Sequence, residues 1–219
     1  MLINVKKLNK SFFINNEKHQ ILNDLSLAVD YNQIVSLYGA SGSGKSTLLN
    51  ILSGLMSYDS GQINFNNQLI DENFDYVNFR RNDIGIIFQE DHLLSEFNVI
   101  ENIMLPSIIS GNSKKTAYNL AYKLLENFSL LNIKNSYSNI LSGGEKQRVS
   151  ILRAIINKPK FIIADEPTGS IDENNKDKIF TLFKDIISQY DTSILIATHD
   201  NNVSKISNKI LNLSKGKIN

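Results

Sequence analysis

The stretch Gly39-Ala40-Ser41-Gly42-Ser43-Gly44-Lys45-Ser46-Thr47 constrains this chain more than any other. It fits the spacing G-x-x-x-x-G-K-[ST] and has the flanks that the spacing requires. Ile34-Val35-Ser36-Leu37-Tyr38 before it reads as a buried strand, and Leu48, Leu49, Ile51, Leu52 and Leu55 after it recur at helical spacing. In such a strand, loop and helix the glycines let successive backbone N–H groups wrap a phosphate, while the helix N-terminus adds a positive dipole. Lys45 is then placed to reach the outer phosphate oxygens and Ser46 to ligate Mg²⁺. The bland alternative is an ordinary glycine-rich turn, which has no need of a strand on one side and a helix on the other.

The rest of the chain supports an α/β reading. Ile84-Gly85-Ile86-Ile87-Phe88, Phe161-Ile162-Ile163-Ala164 and Ser193-Ile194-Leu195-Ile196-Ala197 are short apolar runs of the kind that form central parallel strands. From about Glu90 to Asn157 strand signals give way to helical ones, with Ser113 expected to cap a helix over Lys115 to Phe128 and another helix opening near Gly143. The stretch to about Val29 and the segment Gly61 to Phe65 read as a small antiparallel sheet, with Asn15 to His19 as an expanded turn. Pro106, Pro159 and Pro167 are all expected at element ends. The 219 residues are therefore read as a single domain. Residues 1–89 and 158–219 form its sheet core, and residues 90–157 an inserted helical subdomain.

Composition narrows the partners. With 23 Lys and Arg against 22 Asp and Glu the net charge is +1, so there is no global field of the kind that marks nucleic-acid binders. The absence of cysteine excludes disulfides and thiolate metal sites, leaving oxygen or nitrogen ligands for any metal. Neither a signal-peptide core nor an apolar run of about 18 residues is present, which predicts a cytoplasmic chain that does not itself span a membrane.

Two further sites carry chemistry. Phe161 to Ala164 ends in Asp165-Glu166, which places two carboxylates at the carboxyl edge of the sheet, where ligands bind in α/β folds. Asp165 suits the outer sphere of Mg²⁺ and Glu166 suits a general base acting on water; taken alone, both would read as solvated strand-end acids. Leu141-Ser142-Gly143-Gly144-Glu145-Lys146-Gln147-Arg148 opens a helix with serine and two glycines, a second set of free N–H groups suited to phosphate oxygens. A chain with one phosphate loop has a use for the second if it serves the nucleotide on another copy. A capped core helix would have the same spacing.

The ordered set GASGSGKST, Gln89, LSGGEKQR, FIIADEP, Ser170-Ile171-Asp172 and Thr198-His199-Asp200 resembles the ABC ATPase family over nearly the whole chain. That resemblance implies a P-loop NTPase fold, ATP and Mg²⁺ as ligands, and a homodimer in the closed ATP-bound state. It makes Leu141, Ser142, Gly143, Gly144, Glu145 and Gln147 the signature that acts on the other subunit's ATP. Gln89 would sense Mg²⁺ and the membrane partner, Asp172 would lie in the loop crossing the dimer, and His199 would contact the γ-phosphate. Phe12 stands where the family stacks an aromatic on adenine, with Phe13 as a rival and core packing as the bland role for either.

Within the family the chain is most similar to the lipoprotein-releasing branch of the LolD and MacB type. His92 to Asn102, Asn15 to His19, the Leu48 to Leu55 helix and Ala164 to Gly169 carry this likeness, although Ser95 stands where proline is usual. The branch implies integral membrane permease subunits as partners and a place on the cytoplasmic face of the bacterial inner membrane. The alternatives are an FtsE-like regulator of cell-wall hydrolases and a MacB-like efflux ATPase; a soluble ABC protein acting on DNA or ribosomes ranks behind them, because such proteins usually carry paired cassettes or long insertions and this chain has neither.

Overall fold

A computed structural model describes residues 1–169 and 171–218; Ser170, named in the motif set above, lies outside the described residues. The chain opens with β1 (Ile3–Ile14) and β2 (Glu17–Val29), followed by β3 (Ile34–Tyr38) and α1 (Lys45–Leu52). Next come β4 (Ser60–Phe65), β5 (Gln68–Leu69), the single turn α2 (Tyr76–Asn78) and β6 (Ile84–Ile87). Three helices, α3 (Val99–Ile109), α4 (Lys114–Asn127) and α5 (Gly143–Ile155), precede β7 (Phe161–Asp165). The chain closes with α6 (Glu173–Gln189), β8 (Ser193–Thr198), β9 (Lys209–Ser214) and β10 (Lys217–Ile218).

Two sheets result. One is antiparallel, in the order β2-β1-β4-β5. The other runs β10-β9-β3-β8-β7-β6, parallel throughout except for the β9–β10 hairpin at its edge. Because successive strand residues face opposite ways, β7 divides its side chains between two cores. Ile162 and Ala164 join the side covered by α3 to α6, while Phe161 and Ile163 join the side covered by α1 and the antiparallel sheet. This is the α/β, mainly parallel architecture with an antiparallel annex and intervening helices that the pattern predicts. No helix among the described residues is long and apolar enough to cross a membrane.

Three local expectations are corrected. The first turn is two residues, not Asn15 to His19: Ile14 pairs with Glu17, and Asn15 and Asn16 both sit at positive φ (51° and 65°). That is the tight hairpin turn whose twist matches the flanking strands, and Asn tolerates it well. Helix α1 stops at Leu52, because Gly54 takes the left-handed conformation (φ 68°) that ends helices; Leu55 lies beyond it and is exposed. Pro106 falls inside α3, not at its end. The turn beyond it is held from outside: Ser110 N donates to the Pro106 carbonyl, and Asn157 Nδ2 donates to Pro106 O (3.1 Å), Ser110 Oγ (2.8 Å) and Arg81 O (2.8 Å). Ser113 caps α4 as expected, its Oγ accepting from Thr116 N.

Candidate active site

The helix ends show where a ligand belongs. α3, α4, α5 and α6 each begin with a side-chain cap, supplied by Asn98, Ser113, Ser142 and Asp172. α1 does not: it starts after Gly44 at φ 106°, without a side-chain hydrogen bond and without an acid in its first turn. A helix leaves its first N–H groups unpaired. Those of Lys45, Ser46 and Thr47 find no acceptor among the described residues. The Ser43 hydroxyl is likewise buried and, among the described residues, lacks a partner. Gly42, at φ 77° with open space where a Cβ would stand, completes a loop whose backbone faces outward.

This loop forms one wall of a cleft of about 650 Å³ lined by Phe12, Ile21, residues 41–47, Gln89, Asp165, Glu166 and His199. The sequence thus names nearly all of its lining; Gly39 and Ala40 contribute through their carbonyls, which accept from Lys45 Nζ at 2.6 and 3.3 Å. Lys45 is buried, yet its only carboxylate neighbour within ion-pair range among the described residues is Glu166, at 3.9 Å. A buried ammonium held by two carbonyls and one distant acid suits an additional anionic partner.

Glu166 leaves the end of β7 in a left-handed conformation (φ 45°), which costs a non-glycine residue about 1–2 kcal/mol. Its N–H is tied to Ala197 O at 2.8 Å. One carboxylate oxygen accepts from Thr198 Oγ1 (3.0 Å) and His199 N (3.3 Å), and the other meets His199 Nδ1 at 2.9 Å. The side chain is only 13% exposed and is thereby aimed into the cleft. Asp165 beside it is a different case. Burial pushes its carboxyl above the usual carboxylate range, and the Glu166 charge adds to that push, while a hydrogen bond from Ser46 and the Lys45 charge act against it.

Phe12 and Phe13 separate clearly. Phe12 is half-buried in the cleft wall with Lys10 Nζ 5.3 Å from its ring centroid, whereas Phe13, one residue along the strand, faces solvent at 77% exposure. Gln89 is exposed and also lines the cleft.

The second group stands apart from the cleft. Ser142 and Glu145 form a capping box, with Glu145 Oε2 accepting from Ser142 N (2.9 Å) and Ser142 Oγ (2.6 Å). Those bonds hold the Glu145 carboxyl below the usual carboxylate range. Leu141, Gly144 and Gln147 are buried, with Gln147 Nε2 donating to Phe88 O at 3.4 Å, while Ser142 and Gly143 leave the helix end open to solvent. Asp172 caps α6 through Asn175 N and Nδ2. Neither Asp172 nor any of residues 141–147 lines the cleft.

Sequence reasoning missed three contributors. Ile21 lines the cleft from the strand beside that of Phe12, at the point where the β1–β2 register shifts between Lys10 and Ser11. Thr198 had no role beyond its motif, yet it is fully buried and holds Glu166. Arg153 donates to Asp91 O (2.6 Å) and His92 O (2.7 Å), bracing the segment after Gln89 against α5.

The ABC transporter family model matches residues 22–169, which is more than half of the chain. The chain belongs to the ABC transporter family. Among its relatives, the lipoprotein-releasing system ATP-binding protein LolD of Buchnera aphidicola (strain APS) is 43% identical, covering 91% of this chain and 89% of that protein. An ATP-binding protein of Staphylococcus haemolyticus named for hemin import, HrtA, is 36% identical over 100% of this chain and 99% of its own length. The solved structure of the ATP-binding cassette MJ0796, a dimer in a post-hydrolysis state with ADP and Pi, superposes with a TM-score of 0.89 at 31% identity. It covers 99% of this chain and 96% of that one. This ABC chain is therefore an ATP-binding, ATP-hydrolysing subunit of a transporter.

Proposed function

We propose that this ABC ATPase powers the release of lipoproteins from the bacterial inner membrane, working on the cytoplasmic face through permease subunits that it does not itself contain. The observation that carries the site is the uncapped N-terminus of α1 with Lys45 and a Ser43 hydroxyl that has no partner among the described residues, in the same cleft as Glu166. The cargo is supported by the predominance of lipoprotein-releasing names among full-length relatives at 35–43% identity.

In this reading residues 39–47 cradle the phosphates of ATP, with Lys45 turning from its carbonyl partners toward the outer phosphate oxygens. Phe12 stacks on the adenine, and Glu166, oriented by Thr198 and His199, accepts a proton from the attacking water. Ser46, Gln89 and Asp165 would hold Mg²⁺. The donor set fits that ion: hydroxyl, amide and carboxylate oxygens meet at the cleft, whereas the described residues contain no cluster of three or more His, Cys, Asp or Glu that could hold a metal. Bound there, Mg²⁺ would neutralise charge developing on the phosphate oxygens.

Residues 90–157 act as the helical signature subdomain. Because the exposed Ser142 and Gly143 end lies outside its own cleft, it is assigned to the ATP of a second copy, giving two composite sites in a closed homodimer with Asp172 at the crossing. Leu94 and Ser95, exposed on a loop that Asn102 ties down through Leu94, Phe97 and Asn98, offer the permease a docking edge.

The deciding experiment is reconstitution with a permease of the lipoprotein-releasing type in vesicles carrying a lipoprotein. ATP-dependent release is expected; ATP hydrolysis coupled to no release, with another substrate moved instead, would overturn the cargo assignment. HrtA, matched over its full length, is the observation that favours that second reading, transport of a different cargo.

A further inference from the structure

We infer that Lys176 is a positioning residue for hydrolysis. By pairing with Asp200 it locks the backbone beside His199 to the first turn of α6, a role that rests on the assignments of Glu166 and His199 proposed above.

Lys176 Nζ reaches two carboxylates, Glu173 Oε1 at 2.6 Å and Asp200 Oδ2 at 3.2 Å. The shorter contact is the weaker anchor. Glu173 is 74% exposed, and ion pairs between exposed groups contribute little, whereas Asp200 is 12% exposed and fixed on every side. Asp200 Oδ2 also accepts from Thr168 Oγ1 (3.3 Å), just past the end of β7, and Oδ1 accepts from Asn202 N (2.9 Å). Its carbonyl accepts from Tyr38 Oη at the end of β3 (3.1 Å).

The connection to chemistry runs through one hydroxyl. Asp200 N donates to Thr198 Oγ1 at 2.9 Å, and Thr198 Oγ1 donates to Glu166 Oε2 at 3.0 Å. Whatever moves Asp200 therefore moves both the residue before it, His199, and the hydroxyl that aims Glu166. Lys176 lies one turn into α6, whose cap is Asp172, the residue assigned to the dimer crossing. A shift of that first turn when a second copy engages is passed through the Lys176–Asp200 pair to the catalytic carboxylate. The fold does not depend on the pair, since α6 is anchored by Ile179, Phe180, Phe183 and Ile186 in the core. In the sequence Lys176 sits in a polar run, Glu173 to Lys178, that reads as a solvated helix face.

The test is steady-state ATP hydrolysis by the purified full-length chain and its variants, with melting curves for each. Lys176→Met should lower kcat about tenfold, the size expected when one member of a coupled polar network is removed, with KM for ATP held within about twofold. Lys176→Arg should restore most of the rate, and Glu173→Gln should leave it unchanged. Combined with Asp200→Asn, Lys176→Met should cost nothing further, because both act through one contact. Parental kcat in Lys176→Met, additive losses in the double variant, or a Lys176→Met chain that fails to fold would each overturn the inference. Glu166→Gln is measured alongside. If it retains the parental rate, the site assignment itself falls; if it is inactive while Lys176→Met is normal, only the positioning role is lost.

Discussion

His199 Nδ1 lies 2.9 Å from Glu166 Oε1, and the same carboxylate oxygen stands 3.9 Å from Lys45 Nζ. With the proton on Nδ1, His199 donates to Glu166, so the proposed base is held between an imidazole that is 74% exposed and an ammonium that is buried. The exposed group, His199, and the buried group, Lys45, thus meet the same carboxylate oxygen.

Replacing Lys45 with Ala removes the cation of the phosphate loop while leaving its backbone. Hydrolysis should fall by at least about 10²–10³-fold, the loss typical of deleting one preorganised donor, and ATP binding should weaken sharply. Melting of the nucleotide-free variant should stay close to the parent, because among the described residues Lys45 is held by two carbonyls and a distant acid. Parental ATP turnover in this variant would remove the phosphate-loop assignment.

The two phenylalanines of β1 give a paired test of the base site. Phe12→Ala should raise KM for ATP about tenfold, since stacking of a base on an aromatic is worth roughly 1–3 kcal/mol. Phe13→Ala, at a solvent-facing position, should leave KM unchanged. The opposite ranking would transfer the adenine contact to Phe13.

Docking and packing separate within one short segment. Leu94 is 43% exposed and Val99 is 1% exposed. A charge at Leu94 should leave melting and ATP binding near normal yet abolish co-purification with the permease. A charge at Val99 should unfold the chain, because an unpaired buried charge costs on the order of several kcal/mol against a total stability of about 5–15 kcal/mol. Normal permease capture by a folded Leu94→Glu chain would place the docking edge elsewhere.

The contrast between these sites shows which parts of the molecule the sequence makes legible. The phosphate loop, the β7 strand ending in Asp165-Glu166 and the Ser142 helix start are local devices, in which residue type, spacing and backbone conformation coincide, so they read directly. Edge strands β9 and β10 escaped because Lys209 to Ser214 alternates polar and apolar residues in a half-exposed pattern weaker than that of the buried strands. Pro106 misled because its helix is held by Asn157, 51 residues away in sequence. Ile21, Thr198, Arg153 and Lys176 take their roles from what lies opposite them in space, and no local pattern carries that.

Asp200 predicts a pH dependence of stability. Burial pushes its carboxyl up, but hydrogen bonds from Asn202 N, Lys176 and Thr168 outweigh that and leave it below the usual carboxylate range. A carboxyl with a lower value in the folded state stabilises the fold above its unfolded value of about 3.9 and loses that contribution as pH falls through the folded value. Asp200→Asn should therefore melt below the parent at pH 7, with the gap closing as pH drops under about 4. A gap that stays constant with pH would show that the charge of Asp200 is not what stabilises this corner.

The composite site is tested most directly by the size of the Glu166→Gln chain with ATP and Mg²⁺. Removing the general base should slow hydrolysis by about 10²–10⁴-fold while leaving the nucleotide bound, so that ATP stays sandwiched between the phosphate loop of one copy and the Ser142 helix end of the other. Light scattering should then report a dimer with ATP, a monomer without nucleotide, and a monomer again when Ser142 is replaced by a bulky acid in the same chain. A Glu166→Gln chain that remains monomeric at high protein concentration with saturating ATP would contradict the assignment of the second helix end to a partner's nucleotide.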